Sequence, residues 1–339
     1  MKTSDFDYDL PVECIAQTPV EPRHASRLLV LHRDRAELEH TIFWNIGNYL
    51  NPGDLLVINQ TRVIPARLFA RKESGGRVEI LLLRKEDERV WEALVGGKRV
   101  MPGKRLQVEG GPAVEVVAAL NGARRLVRFD DPIEPYLEHI GEMPLPPYIH
   151  EPLKDRERYQ TVYAKESGSA AAPTAGLHFT PELMAHLQAK GLRFATVTLH
   201  VGLDTFAPVT EEDPRQHPIH TEWCEMPAET AVRVNETSQR GGRVVAVGTT
   251  SVRVLETAAQ TAMPGQRVGV FAGPTALYIL PGYTFRAVDA LITNFHLPRS
   301  TLIMMVSAFA GRERILETYQ IAIRKGYRFY SFGDAMLIL

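Results

Sequence analysis

Residues 243–261 have the sequence RVVAVGTTSVRVLETAAQT, which predicts a strand followed by a helix. The run at 243–247, apolar after Arg243, is typical of a strand, and residues 252–261 indicate a helix. The same order continues downstream, where we predict a strand at 289–293, helices at 301–310 and 312–325, and a last strand at 327–331. Alternating strands and helices predict a mostly parallel sheet covered by helices.

Residues upstream of this stretch extend the same pattern. Thr180 and Pro181 are residue types typical of a helix start, and Gly191 suits the left-handed turn that ends a helix. A strand is predicted next at 194–199. Near the amino terminus, the runs at 27–32 and 54–59 are continuously apolar, which favours central, buried strands.

Residues 63–129 have a different sequence pattern, in which short strand-like runs are separated by glycine-rich or charged turns, with no helical pattern between them. Strands at this spacing indicate a small antiparallel barrel or sandwich. Residues 131–152 are rich in proline and are interpreted as a return linker. We therefore predict an α/β domain, formed by residues 1–61 and 153–339, that is interrupted by a β-barrel insert at residues 62–152.

Composition places the chain among ordinary globular proteins. It has 339 residues and a formal net charge of −1, but residues 62–128 carry 15 Lys/Arg against 8 Asp/Glu. That local excess of +7 suits an anionic partner, and a solvated, arginine-rich β-surface explains it equally well. There is no apolar signal region or membrane-length apolar run, and only Cys14 and Cys224 are thiols, so we expect a cytoplasmic protein without disulfides.

Four loops follow predicted strands or open helices, where α/β domains place their ligands. The first three have a plain structural explanation as well, such as a tight turn, a hydrogen-bonded histidine or an ordinary helix cap, whereas the fourth has more polar groups than a plain connection needs. The loops are residues 168–180, 199–206, 246–256 and 293–300. They combine small residues, hydroxyl groups, histidines and arginines, and the loop at 246–256 matches neither the dinucleotide-binding nor the phosphate-loop glycine pattern.

A separate group of polar residues invites a metal interpretation. His217, His220, Glu222 and Cys224 fit no standard zinc spacing, so a metal is disfavoured here. A general acid or base role for His220 or Glu222 is the better hypothesis, because a neighbouring pair of this kind tunes its own pKa values.

Seven segments together resemble one family along nearly the whole chain. They are NQTRVIPAR (59–67), YQTVYA (159–164), AAPTAGLHFT (171–180), HVG (200–202), GTTSVR (248–253), NFHLP (294–298) and YSFGDAM (330–336). The chain resembles the S-adenosylmethionine:tRNA ribosyltransferase-isomerases of queuosine biosynthesis, the QueA family. That resemblance also implies an α/β domain with a β-barrel insert.

The resemblance implies transfer of the ribosyl portion of S-adenosylmethionine to 7-aminomethyl-7-deazaguanine at the wobble position of a tRNA. Adenine and methionine would be released, and the ribose rebuilt to give epoxyqueuosine. S-adenosylmethionine is then a consumed ribosyl donor, and neither a bound cofactor nor a metal is expected. The partners expected are S-adenosylmethionine and tRNA, without a membrane.

Residue roles follow from that chemistry as hypotheses. The acid–base candidates are His178, His200, His220, Glu222 and His296. The substrate-binding candidates are Thr174, Gly176, Gly202, Asp204, Gly248, Thr249, Thr250, Ser251, Arg253, Asn294, Phe295 and Arg299. Arg253 or Arg299 would pair with the methionine carboxylate, and Leu177 and Phe295 would offer apolar surface to a base. The tRNA-binding candidates are Arg62, Arg67, Arg71, Lys98, Arg99, Lys104 and Arg105.

Two other classes of function compete with this interpretation. An ordinary S-adenosylmethionine-dependent methyltransferase is disfavoured by the missing glycine-rich first loop and by the missing acidic residue beyond it. A non-catalytic RNA-binding module is disfavoured by the near-zero net charge of the chain and by the polar loops of the α/β domain.

Overall fold

The structure of the protein, a computed structural model, describes residues 1–202 and 208–339. It divides into two compact units. The α/β unit comprises Met1–Thr61, Pro147–Glu166 and Pro173–Leu339, and the barrel unit comprises Arg62–Pro146 and Ser167–Ala172. The boundaries predicted from sequence differ from these at two places, since they assign residues 147–152 to the insert and residues 167–172 to the α/β domain.

The described residues form seventeen strands and six α-helices. The strands are β1 Arg27–Leu31, β2 Leu38–Ile42, β3 Leu55–Asn59, β4 Thr61–Val63, β5 Arg67–Lys72, β6 Arg77–Lys85, β7 Val90–Val95, β8 Arg105–Val108, β9 Ala113–Ala119, β10 Arg124–Phe129, β11 Glu166–Ser169, β12 Arg193–Leu199, β13 Glu222–Met226, β14 Val244–Val247, β15 Phe271–Thr275, β16 Ala290–Asn294 and β17 Ala335–Ile338. The helices are α1 Glu134–Ile140, α2 Pro181–Ala189, α3 Ala228–Gln239, α4 Thr249–Ala259, α5 Thr301–Ala310 and α6 Arg312–Arg324. None of these helices is long and apolar enough to span a bilayer.

The α/β unit is built on a nine-stranded sheet in the order β15-β13-β12-β3-β14-β16-β17-β1-β2. Its centre is parallel, because β12, β3, β14 and β16 pair side by side in one direction. β17 runs antiparallel to β16 and parallel to β1. The predicted helix-covered, largely parallel sheet is confirmed, with antiparallel strands towards both edges.

The core of this unit lies on the central strands. Every residue of β3, β14, β16 and β17 is buried, which confirms the burial that the continuously apolar run at 54–59 predicted for β3. On one face, Leu183 and Leu187 of α2 pack with Phe43 and Leu56. Each such leucine contributes about 1.5–3 kcal/mol relative to an exposed one. Helix α2 starts where predicted, because the hydroxyl of Thr180 accepts a hydrogen bond from the amide of Leu183 at 3.2 Å.

The barrel unit contains a closed six-stranded antiparallel barrel in the order β10-β7-β6-β5-β8-β9. Alternate residues point inwards, as the burial of Leu68, Ala70, Val78 and Ile80 along β5 and β6 illustrates. The predicted barrel is therefore confirmed. The predicted linker at 131–152 contains one regular element that the sequence analysis missed, helix α1, which accommodates Pro135 in its first turn.

The predicted last strand at 327–331 is wrong. Phe329 makes only an isolated bridge to Ile15, and Tyr330 has a φ of +70°, which ends any extended segment. The carboxylate of Asp334 accepts hydrogen bonds from the backbone amides of Arg27 and Arg328, both at 2.8 Å. The bond to Arg328 holds the segment before Asp334 as a turn. The strand follows this turn as β17. β2, β13, β15 and α3 were also missed.

Candidate functional site

The carboxyl ends of the parallel strands bring the predicted loops together at one edge of the sheet. Asn59, His200, Gly248 and Asn294 end or directly follow β3, β12, β14 and β16. Strands that run in the same direction end at the same edge, where open α/β sheets bind ligands. The loop at 168–180 joins them through its second half, because Thr174 Oγ1 donates to Asn294 Oδ1 at 3.0 Å.

His178 lies at the centre of a buried polar network. Asn294 Nδ2 donates to His178 Nε2 at 3.2 Å, so the ring proton is on Nδ1, which lies 2.8 Å from Ser26 Oγ. Burial lowers the pKa of His178 to about 3, and the nearby positive charges of Arg23, Arg328 and Arg158 act in the same direction. The imidazole is therefore neutral at physiological pH, with a fixed tautomer and orientation.

His296 is buried in a second polar pair beside the aromatic core. Its Nε2 lies 2.7 Å from Thr293 Oγ1, and its backbone amide donates to Tyr319 Oη at 3.1 Å. Burial lowers the pKa of His296 to about 3. The adjacent Phe295 is fully buried among Tyr319, Tyr327 and Phe329, with ring centroids 4.8–5.5 Å apart. The predicted role of Phe295 as a surface for a base is therefore not supported.

His200 differs from these two histidines because it is only partly buried. Its Nδ1 lies 3.0 Å from Thr61 Oγ1, and its ring stacks on Trp223 with centroids 5.5 Å apart. Burial lowers the pKa of His200, while the negative charge of Glu166 opposes that shift. The ring is thus oriented by two contacts and only partly buried, which suits proton transfer to a bound molecule.

Glu222 and Arg253 form a buried ion pair in which both residues are 8% exposed. Glu222 Oε1 also accepts the backbone amide of Gly202 at 2.7 Å. The Arg253 guanidinium donates further to the backbone carbonyls of Leu277 and Thr275, at 3.2 and 3.4 Å. Arg253 thus has a protein carboxylate as its partner, not the free position for a ligand carboxylate that the sequence analysis assigned to it.

Arg299 also differs from its predicted role. Its guanidinium pairs with the carboxylate of Asp7, with Nε 2.7 Å from Oδ2. Gly176 is packed against protein side chains, because a Cβ at this position would lie 2.1 Å from Tyr163 Oη and 2.7 Å from Thr161 Cγ2. The neighbouring Leu177 is buried. Asp204 lies outside the described residues.

The first turn of α4 lines a pocket together with several of the predicted residues. Gly248 is the N-cap, with a φ of +88° that favours glycine, and Ser251 Oγ donates to the carbonyl of Val247 at 2.8 Å. Thr250 Oγ1 is buried without a hydrogen-bond partner among the described residues. The pocket is lined by Gly202, His217, Ile219, His220, Glu222, Thr249, Thr250, Arg253, Leu277, Tyr278, Ile279, Thr301, Leu302 and Met305.

The four residues that suggested a metal have other surroundings. His217 Nδ1 pairs with Glu211 Oε2 at 2.8 Å, Glu222 pairs with Arg253, and His220 is exposed. Burial raises the pKa of the Cys224 thiol to about 12. Across residues 1–202 and 208–339, no three His, Cys, Asp or Glu side chains are grouped as metal ligands.

Some residues of the site were not singled out from the sequence. Asn59 ends β3 and links it to β12, since its Oδ1 accepts the amide of Leu199 at 3.1 Å and its Nδ2 donates to that residue's carbonyl at 3.0 Å. Ser26 and Thr61 hold two of the histidines. A polar residue next to an apolar run is the signal that could have identified these three residues, because a buried polar group needs a partner.

Six of the seven predicted cations of the barrel unit fall into two groups, and Arg62 belongs to neither. Arg67, Arg71 and Arg105 form ion pairs with Glu79, Glu109 and Asp130, at 3.2, 3.0 and 2.5 Å. Lys98, Arg99 and Lys104 lie together on the loop between β7 and β8 and form no ion pair in the part of the chain that the structure describes. Arg62 has an interaction of its own.

Comparison with known proteins supports one family. A family model described as queuosine biosynthesis protein matches residues 3–338. Proteins named S-adenosylmethionine:tRNA ribosyltransferase-isomerase from Symbiobacterium thermophilum and Carboxydothermus hydrogenoformans are 54% and 55% identical, each match covering all of both chains. A crystal structure of S-adenosylmethionine tRNA ribosyltransferase from Thermotoga maritima is 42% identical with a TM-score of 0.58, covering 99% of this chain and 100% of that one. The chain therefore belongs to the queuosine biosynthesis protein family, in which these ribosyltransferase-isomerases are found.

Proposed function

We propose that this transferase moves the ribosyl portion of S-adenosylmethionine to 7-aminomethyl-7-deazaguanine at the wobble position of a tRNA. The ribose is isomerised on the way, and the products are epoxyqueuosine-tRNA, adenine and methionine. The observation that carries the proposal is the relationship, over the whole of both chains, to proteins named for S-adenosylmethionine and tRNA as substrates. The polar groups at the carboxyl edge of the sheet support it, because the reaction needs several proton transfers.

The reaction makes three demands on protein side chains. A base must remove the C5′ proton beside the sulfonium, an acid must protonate the departing adenine, and the attacking aminomethyl group must lose its positive charge. Methionine leaves readily because its sulfur starts with a positive charge. The acid–base candidates His178, His200, His220, Glu222 and His296 meet these demands unequally.

Among these candidates, we assign to His200 one of the proton transfers made directly to or from the substrate. His200 is only partly buried, whereas His178 and His296 are enclosed and hydrogen-bonded to protein groups, so His200 is the one of the three that a substrate can reach without displacing the protein around it. We assign these two buried histidines a positioning role, because both are enclosed by protein groups. A pKa of about 3 also leaves them neutral, so they lack the proton that adenine needs and are weak bases towards the C5′ proton. His220 and Glu222 remain candidates for the second proton transfer.

The activity is tested by incubating the protein with S-adenosylmethionine labelled in the ribose and with tRNA that carries the aminomethyl base. We expect label in the tRNA and free adenine in equal amounts. A parallel incubation with label in the methyl group distinguishes a methyltransferase, which would transfer that label instead. Folded protein that produces neither ribosyl transfer nor adenine would refute the proposal.

The role of His200 is tested with His200→Gln under saturating substrates. We expect kcat to fall by about 10²–10⁴-fold, the usual contribution of a positioned acid or base. His186→Gln is a matched control, because His186 stacks on Trp44 with the same 5.5 Å separation of ring centroids but belongs to α2. A loss of less than about tenfold for His200→Gln would exclude an essential role in proton transfer.

A further inference from the structure

His200 is held by a hydrogen-bonded chain that starts at its ring and ends at the backbone. Its Nδ1 lies 3.0 Å from Thr61 Oγ1, and Thr61 Oγ1 lies 3.4 Å from the carbonyl oxygen of Glu166. Thr61 is fully buried, so its hydroxyl bonds to these protein groups and not to bulk water. The backbone of Glu166 is fixed in turn, because its amide donates to the carbonyl of Gln60 at 3.1 Å.

The chain favours one tautomer of the imidazole. A backbone carbonyl can only accept a hydrogen bond, so the contact with Glu166 requires the hydroxyl proton of Thr61. Thr61 Oγ1 then has only lone pairs to offer His200, and Nδ1 must carry the ring proton. This is the one arrangement in which both contacts of the hydroxyl are hydrogen bonds. It leaves Nε2 of His200 with a free lone pair.

The surroundings of Nε2 differ among the three histidines at the carboxyl edge of the sheet. Nε2 of His178 accepts a hydrogen bond from Asn294, and Nε2 of His296 lies 2.7 Å from Thr293 Oγ1. Nε2 of His200 has no hydrogen-bond partner among the residues that the structure describes, and this residue is only partly buried. Of the three, His200 is therefore the histidine whose Nε2 is left for a substrate.

The stacking and the charge state of the ring agree with a basic nitrogen at this position. The ring stacks on Trp223 at an interplanar angle of 22°, and a half-turn about its Cβ–Cγ bond would lose the hydrogen bond to Thr61. Burial lowers the pKa of His200, and Glu166 is the charged group that opposes this shift. The imidazole is therefore mostly neutral near pH 7, and a neutral ring accepts a proton more readily than it supplies one.

We propose that Thr61 is a positioning residue that keeps the ring proton of His200 on Nδ1 and thereby makes Nε2 a base towards the substrate. In this step Nε2 takes a proton from the substrate, and the substrate atom keeps the electron pair. The ring becomes positively charged, and its Nδ1 hydrogen bond to Thr61 becomes charge-assisted. The inference rests on the proposed function, which it deepens by giving His200 the role of a base and by adding a residue that was not among the acid–base candidates.

The tautomer is measured first, in the absence of substrate. Nitrogen-15 NMR of the histidine rings, at a pH above the pKa of His200, distinguishes protonation on Nδ1 from protonation on Nε2. The signals that vanish in His200→Gln identify His200. We expect protonation on Nδ1 in the wild type, and loss of this preference in Thr61→Val, which removes the hydroxyl but keeps the branched shape. A wild-type ring protonated on Nε2 would overturn the inference, whatever the activity of the protein.

Turnover then measures the consequence for catalysis. Thr61→Val should lower kcat by about 10–100-fold, the usual effect of removing a group that orients a functional histidine, while KM for S-adenosylmethionine stays within about twofold. Thr61→Ser keeps the hydroxyl and should recover most of the lost kcat. Thr198→Val is the matched control, because Thr198 is also buried and its Oγ1 accepts a hydrogen bond from Gln60 Nε2 at 3.3 Å, with none to His200. Its kcat should equal that of the wild type.

The outcomes separate this inference from the proposed function. An unchanged kcat in Thr61→Val, or a loss that Thr61→Ser or Thr198→Val shares in full, would overturn the positioning role of Thr61, and thermal unfolding verifies that each variant is folded. The proposed function stands in those cases as long as the wild type labels the tRNA and releases adenine. Folded wild-type protein that does neither overturns the proposed function and, with it, the role of Nε2 as a base, even where NMR finds the proton on Nδ1.

Discussion

Burial is the main determinant of the protonation state of the histidines at the carboxyl edge of the sheet. His178 and His296 are both enclosed, and both have a pKa near 3, although one is held by Asn294 and Ser26 and the other by Thr293. An unfolded histidine has a pKa near 6.5. Below that pH the unfolded chain binds protons that the native chain does not bind, so these residues make stability fall as pH falls.

We predict that replacing one of these histidines changes the pH dependence of the unfolding free energy by the contribution of that histidine alone. Between about pH 4 and 6, His178→Asn should have a slope of unfolding free energy against pH that is lower by about 1.4 kcal/mol per pH unit, the equivalent of one proton. The measurement is urea unfolding at several pH values. His150→Asn, which changes an exposed side chain, is the control. Identical slopes for His178→Asn and the wild type would show that His178 is protonated in the native state.

Secondary-structure elements in the α/β unit are fastened by buried carboxylates. Glu256 of α4 is fully buried, and its oxygens accept the amides of Arg286, Ala287 and Val288 and the hydroxyl of Tyr283, at 2.9–3.2 Å. One side chain thus ties the helix whose first turn lines the pocket to the segment that precedes β16.

We predict that Glu256→Gln destabilises the protein by about 2–4 kcal/mol, because the amide nitrogen of glutamine faces donors where the carboxylate accepted hydrogen bonds. Glu236→Gln is the control, since Glu236 of α3 forms an exposed ion pair with Arg240, the residue that follows this helix, and the change should cost less than about 1 kcal/mol. Denaturant unfolding measures both. A loss below about 1 kcal/mol for Glu256→Gln would mean that its hydrogen bonds contribute little net free energy.

At the scale of the whole molecule, positive charge is less concentrated than residues 62–128 suggested. Residues 62–146 carry 15 Lys/Arg against 13 Asp/Glu, so the net charge of this part of the barrel unit is only +2. Several of its arginines are neutralised locally by ion pairs. The loop between β7 and β8 therefore holds the cations best suited to contact phosphates.

We predict that replacing Lys98, Arg99 and Lys104 together by alanine weakens tRNA binding and lowers the steepness of its salt dependence. Each lost phosphate contact should reduce the slope of log K against log salt by about 0.7–0.9. Affinity for S-adenosylmethionine should not change. The control replaces Arg233 of α3 and Arg240, the residue that follows this helix, which removes positive charge from the other unit. An unchanged salt slope for the triple variant would exclude this loop from the tRNA-binding surface.

An element could be predicted from the sequence where its conformation is determined by residues close to it along the chain. The buried strands β3, β14 and β16 were predictable because each is a continuous apolar run with turn residues beside it. Helix α3 was missed because only one side of it is buried and its surface is polar. The segment at 327–331 has the composition of a strand, yet its aromatic side chains pack into a cluster with residues distant in sequence.

The location of the site was predictable from sequence, but the partners of its charged groups were not. Its loops could be identified because they follow apolar strands, and the structure brings them to one edge of the sheet. The use of each charged group could not be predicted, since the partners lie far away along the chain. Arg253 is paired with a residue 31 positions away and Arg299 with one 292 positions away, and no local pattern reveals such pairs.

The position of β17 in the sheet has a consequence for how the protein is made. This strand lies between β16 and β1, which are separated by more than 250 residues of chain. The two strands are therefore connected in the sheet only after residues 335–338 have been synthesised. During synthesis the barrel strands, which are contiguous in sequence, can pair long before this point. A nascent chain shorter than this leaves β16 and β1 with open hydrogen-bonding edges, and ribosomes that stall late would release an aggregation-prone product.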